Sequence, residues 1–234
     1  MRKAIYFDLD NTLVNRNKSI SVYSEKLSDS FSDAFVGVTP EEIARVISSQ
    51  DNGGYIPAES PYKTIKEAVA NEIHKKFIRS DKVTVGDILE HWVHQFPQCA
   101  VPMNGANELI ADLSEQGFHL GIISNGADKT RIATANALDS FGHIKQLVSS
   151  EAAGIRKPES KIFTESAIDF GFTPDQCWYI GDHPVNDIEG ARKSGMKTIW
   201  LKGFHEWPLN MEEPYHSIDS LSEVLSLVVS KSNK

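Results

Sequence analysis

Short, unbroken apolar runs punctuate this chain, separated by longer stretches whose apolar positions recur at helical spacing. The runs at 4–8, 119–124, 146–149, 177–181 and 198–201 have the length and composition of strands buried on both faces of a parallel sheet. Between them the pattern is helical. Residues 104–116 put Leu109, Ile110 and Leu113 on one stripe, and Gly117 follows as a left-handed C-terminal cap. Residues 128–138 form the next helical stretch. Pro158 suits a first helical turn, after which Ile162, Phe163, Ala167 and Phe170 share a face that ends at Gly171. Residues 187–194 run to Gly195. Strands and helices in alternation predict right-handed crossovers and a Rossmann-like α/β core with a doubly wound parallel sheet. Ligands of such sheets bind beyond the carboxyl ends of the strands.

Residues 15–97 break that rhythm. They show no strand pattern but helical stretches near 21–35, 40–49, 62–77 and 85–96. Ile43, Val46 and Ile47 make one apolar face, and Ile65, Val69, Ile73 and Phe77 make another. Turn residues crowd 51–57. The expected organisation is an α/β core of residues 1–14 and 98–234, with an inserted all-α helical-bundle cap of residues 15–97. An all-helical insert hinged beside the first strand reads as a lid.

Composition acts mainly by exclusion. With 234 residues, 40% hydrophobic and 24% charged, the chain has the profile of a globular protein. A net charge of −8 argues against nonspecific nucleic-acid binding, and any phosphorylated ligand must be drawn by a local positive site. No apolar run approaches the ~20 residues of a membrane span. Arg2 and Lys3 lead directly into a strand without a signal-peptide pattern, so the expected location is the cytoplasm, with no membrane partner. Cys99 and Cys177 form no CxxC pair, which leaves neither a zinc site nor a disulfide framework to expect.

Candidate chemistry gathers where the strands end. The first run finishes in Asp8-Leu9-Asp10-Asn11-Thr12. Residues two apart on an extended segment face the same way, so Asp8 and Asp10 can project into one site. Carboxylates that close repel unless a cation intervenes, which points to a hard divalent metal or to a nucleophile with an acid/base partner. The second run ends in Ser124-Asn125-Gly126 before a helix, a source of donors for an anionic oxygen. Lys157 follows the third run. The fourth ends in Gly181-Asp182-His183-Pro184-Val185-Asn186-Asp187, an acidic loop with metal-ligand character.

In this order the four signals resemble the motifs of the haloacid dehalogenase superfamily, specifically its phosphatase branch with a helical cap inserted after the first strand. The resemblance covers nearly the whole chain. It implies that Asp8 is the nucleophile and that Asp10 protonates the leaving oxygen and later accepts a proton from water. It implies Mg2+ held by Asp8, the main-chain carbonyl of Asp10 and Asp182, with Asp187 binding directly or through water. Ser124 and Lys157 would hold phosphoryl oxygens, Asn125 would add an amide donor, and Thr12 would fix the turn. Asp10 favours a phosphate ester over a carbon–halogen bond, whose cleavage needs no protonated leaving group. The implied substrate is a small phosphorylated metabolite, a sugar phosphate or a nucleotide. Alternatives are a regulatory or binding protein on the same scaffold, a phosphonatase using a cap lysine (Lys63, Lys66, Lys75 or Lys76), and a phosphomutase. A phospho-receiver domain would be much shorter and would lack the insert.

Other residues stay open at this level. His91 and His94 have spacing that permits a shared metal, although a packed pair is the plainer reading. His183, inside the acidic loop, could support a ligand there, contact substrate or face solvent. Tyr55, Arg16 and Lys63 could line a specificity surface. Arg131, one turn into the helix after Ser124, faces either the site or water.

Overall fold

The computed structural model describes residues 3–79 and 82–229. It divides into two compact units, residues 1–14 with 102–234, and residues 15–101.

The first unit carries a parallel six-stranded sheet. Its strands are β1 (Ala4–Phe7), β2 (His119–Ser124), β3 (Gln146–Ser149), β4 (Cys177–Gly181), β5 (Lys197–Leu201) and β6 (Ser217–Ile218), in the order β3-β2-β1-β4-β5-β6. β1 is wholly buried between β2 and β4, which is why its sequence is a continuous apolar run. The order reverses beside β1. β1 and β2 lead toward one edge and β4 to β6 toward the other, so a crevice opens beyond the ends of β1 and β4. β6 has no counterpart in the sequence reading, because two residues are too few to show a period.

Numbered along the chain after the four helices of the second unit, the helices of this unit include α5 (Ala106–Glu115), α6 (Asp128–Ala135), α7 (Ser150–Ala153), α8 (Ser160–Ile168) and the short α9 (Gly190–Ser194). Side chains on one sheet face pack against α8 and α9. Phe163 stands edge-on to Tyr179 with ring centroids 4.9 Å apart. Tyr6 crosses the β2 backbone at Gly121, where any Cβ would lie 2.6 Å from its ring, and its hydroxyl donates to Ser166 O at 2.8 Å.

The second unit contains α1 (Arg16–Ser30), α2 (Pro40–Asp51), α3 (Ile65–Phe77) and α4 (Val85–Gln95). Thr39, Thr64 and Thr84 each start a helix with a reciprocal capping box, closed by Glu42, Glu67 and Asp87. Ile20, Tyr23, Leu27, Ile47, Ile73 and Trp92 belong to its own apolar core. α1 begins well before the expected residue 21, because the Asn15 side chain accepts from Lys18 N and nucleates the polar first turn. The unit also extends through Val101 rather than stopping at residue 97. Phe96–Cys99 continue as a 3₁₀ turn whose Phe96 and Cys99 are buried in the helical core. No helix among the described residues is long and apolar enough to cross a membrane.

Candidate active site

Four segments of the α/β unit build the site. Asp8 follows β1, and its N–H donates to Ile180 O at 2.9 Å, which locks the end of β1 to β4. Asp182 follows β4. Asp187 sits on a π-helical turn, Pro184–Glu189, that precedes α9, the kind of irregular turn found often at functional sites. Oxygens of Asp8, Asp182 and Asp187 lie within 4.8 Å of one another, and all three residues are buried.

Lys157 enters this group from the loop after β3. Its Nζ donates to Asp8 Oδ1 and Asp187 Oδ1, each at 2.6 Å, and to Tyr179 Oη at 2.9 Å. The lysine side chain is 1% exposed. Asp187 Oδ2 accepts from His183 N at 2.9 Å, so both oxygens of that carboxylate have donors. Its fit depends on Gly181, where a Cβ would stand 2.5 Å from Asp187. Gly181→Ala is therefore expected to lower stability by about 1–3 kcal/mol through overpacking, visible as a drop in melting temperature; an unchanged melt would show that Asp187 can yield.

One lysine does not balance three buried carboxylates. Burial pushes the Asp8 carboxyl up to about 6, against the opposing pull of Lys157. Burial, reinforced by Asp187 and Asp8, holds Asp182 well above the usual carboxylate range. Burial lowers the Lys157 ammonium, but Asp187 and Asp8 outweigh it and leave the group above its ordinary value. Asp182 Oδ2 is buried with no hydrogen-bond partner, and His205 Nε2 lies 3.4 Å away. An all-oxygen donor set, unbalanced negative charge and an orphaned carboxylate oxygen fit a hard divalent cation.

The remaining candidate residues fall nearby or take other duties. Ser124 is buried at the end of β2, which pairs with β1. Thr12 Oγ1 makes a long 3.5 Å contact to Asp182 Oδ1, while Thr12 N donates to Leu9 O at 3.4 Å in the turn. Asn125, expected as a phosphoryl donor, instead clamps the Lys157 main chain. Its Oδ1 accepts from Lys157 N at 2.9 Å and its Nδ2 donates to Lys157 O at 3.1 Å. Asp10 is paired with Arg131 at 2.5 Å.

His183 turns out to be a helix cap, its Nδ1 accepting from Val185 N and Asn186 N, and burial takes its imidazole down to about 4. His91 lies between Tyr23 Oη and Ser30 Oγ, at 3.1 and 3.0 Å, which is packing rather than metal ligation. Arg16, a candidate for a specificity surface, is buried in a two-pronged pair with Asp51. The sequence does not single out Tyr179, because both faces of β4 are buried and alternation marks no special side.

The family model for haloacid dehalogenase-like hydrolases matches residues 5–201. The chain belongs to that family. Among its haloacid dehalogenase-like relatives is the glyceraldehyde 3-phosphate phosphatase of Methanocaldococcus jannaschii, 24% identical over 97% of this chain and 97% of that protein. The ribulose-1,5-bisphosphate 5-phosphatase of Halopiger xanaduensis is 25% identical over 97% of this chain and its own full length. A solved structure of the HAD-hydrolase YfnB from Bacillus subtilis, bound to magnesium, shares the fold with a TM-score of 0.76 at 19% identity. That alignment covers 97% of this chain and 99% of the other.

Proposed function

We propose that this hydrolase is a magnesium-dependent phosphatase acting on a small phosphomonoester, with sugar phosphates the first class to test. The observation that carries the reading is Lys157 bridging Asp8 and Asp187 beside Asp182, at the crevice between β1 and β4. Full-length relatives named for glyceraldehyde 3-phosphate and ribulose-1,5-bisphosphate support the substrate class. The helical unit, residues 15–101, is assigned the choice among substrates.

Asp8 attacks phosphorus in line, forming an aspartyl-phosphate as the bond to the leaving oxygen breaks. Asp10 gives a proton to the departing oxygen. Water then attacks the aspartyl-phosphate, passes a proton to Asp10, and frees Asp8 and inorganic phosphate. Lys157 and Ser124 hold phosphoryl oxygens, and Lys157 reduces repulsion between Asp8 and the incoming dianion. Asp8, Asp182 and the main-chain carbonyl of Asp10 would hold the magnesium ion, with Asp187 reaching it directly or through water. When bound, that ion supplies the positive charge that offsets the phosphate.

Phosphate release from a panel of sugar phosphates and nucleoside monophosphates tests the proposal. Turnover of at least one sugar phosphate should require Mg2+, vanish with chelator and return with excess metal. Undiminished release in chelator, or none across the panel, would overturn it.

A further inference from the structure

Outside the carboxylate–lysine cluster, one partly buried ion pair joins two motif segments, its arginine side chain 10% and its aspartate side chain 19% exposed. Arg131 extends from α6 (Asp128–Ala135), the helix that begins just after Ser124-Asn125-Gly126. Its NH1 donates to Asp10 Oδ2 at 2.5 Å. A fully exposed pair would contribute little, whereas here the arginine is held largely out of water with one arm on the carboxylate.

The surroundings are shaped for this contact. The guanidinium lies against Gly126, where a Cβ would come within 3.0 Å of Arg131 Nε and 3.2 Å of Cδ. Gly126 also has φ 143°, a backbone region that other residues rarely adopt. Arg131 Nε is buried without a hydrogen-bond partner. An arginine placed only to satisfy itself would not leave that donor orphaned, since a buried unmade bond costs about 1–3 kcal/mol. The helix instead holds it where one arm reaches Asp10. Asn11, next along the chain, takes a left-handed φ of 58°, and its N–H donates to Val14 O at 2.7 Å, so the backbone beside Asp10 is fixed as well.

We propose that Arg131 is a positioning residue for Asp10, holding one carboxylate oxygen so that the other serves the leaving group and, later, the attacking water. The inference rests on the reading of Asp10 as the acid/base group. It assigns Arg131 no contact with substrate. A lysine at this place would keep the charge but lose the planar fork that sets direction.

Leaving-group dependence separates positioning from a structural role. Aryl phosphates with acidic phenols depart without much help from a proton donor, whereas alkyl phosphates need one. In Arg131→Gln, kcat/KM, which reports the steps through departure of the leaving group and not the later attack of water, should fall at least about tenfold on an alkyl phosphate and less than about threefold on 4-nitrophenyl phosphate. Arg131→Lys should show the same selectivity with a smaller loss, and it covers the case in which the glutamine variant does not fold. Inhibition by inorganic phosphate should stay within about twofold of wild type. Equal losses of kcat/KM on both substrates in either folded variant, no loss on either, or a matching weakening of phosphate inhibition would overturn the positioning role. Asp10→Asn is the control. If it slows the alkyl ester selectively and the Arg131 variants do not, only this inference fails. If Asp10→Asn lowers kcat/KM equally on both esters, the acid/base reading of Asp10 fails and takes the inference with it.

Discussion

Replacing Lys157 with methionine is expected to abolish turnover and to lower thermal stability in the same variant. The methionine side chain has a similar length and lacks the charge. Lys157 is the cation that the structure places between Asp8 and Asp187, and its side chain is 1% exposed. Removing one member of a buried ion pair typically costs about 3–5 kcal/mol, because the partner charge is left without compensation. For a chain of this length that corresponds to a melting point lower by on the order of 10 °C. Turnover should fall at least about 10³-fold, as the phosphoryl dianion would then meet Asp8 without the lysine. Thermal melts and initial rates on one preparation check both halves. Full stability with lost activity would mean that the carboxylates simply take up protons, and full activity would remove Lys157 from the mechanism.

The second large effect runs the other way for stability. Asp8→Asn should reduce turnover at least about 10⁴-fold, the order seen when a nucleophile is deleted, yet leave the metal-free protein as stable as wild type or more so. The reason is the Asp8 carboxyl, pushed up by burial from 3.8 to about 6. Between those values the folded state binds more protons than the unfolded chain, so stability falls as pH rises from about 4 through about 6. Asparagine does not ionise and escapes that loss. In chelator the variant should therefore melt no lower than wild type at pH 7.5, and its relative advantage should shrink toward pH 4. Magnesium should raise the melting temperature of wild type more than that of the variant, since the ion offsets the charge that asparagine lacks. A wild-type protein that melts higher than Asp8→Asn in chelator at pH 7.5 would contradict this account of the cluster.

Legibility in the sequence tracked how local the determining physics is. β1, β2 and β4 appeared where continuous apolar runs placed them, because a strand buried on both faces needs no partner to reveal it. β3 lies where its run placed it but is an edge strand and mostly half-buried. Asp8, Lys157, Asp182 and Asp187 were legible as a set because each stands at or beyond the end of a β-strand, and a parallel sheet delivers all such ends to one rim. Contacts that depend on helix rotation were not legible. Whether Arg131 meets Asp10 or solvent is set by how α6 turns about its axis over the sheet, and the spacing from Ser124 does not encode that angle. His183 reads as one more polar residue in an acidic loop, and its capping role exists only once the π-helical turn forms. The polar run Asn15-Arg16-Asn17-Lys18 looks like linker until Asn15 caps it and Arg16 finds Asp51.

The most direct test is chemical capture of the phosphorylated enzyme. Enzyme quenched in acid during turnover of a sugar phosphate, then reduced with borohydride, should yield homoserine in place of Asp8 in the peptide mass spectrum, and no such product from Asp8→Asn. Acyl-phosphate found at another carboxylate, or steady turnover by Asp8→Asn at the wild-type rate, would contradict the assignment of Asp8 as the nucleophile.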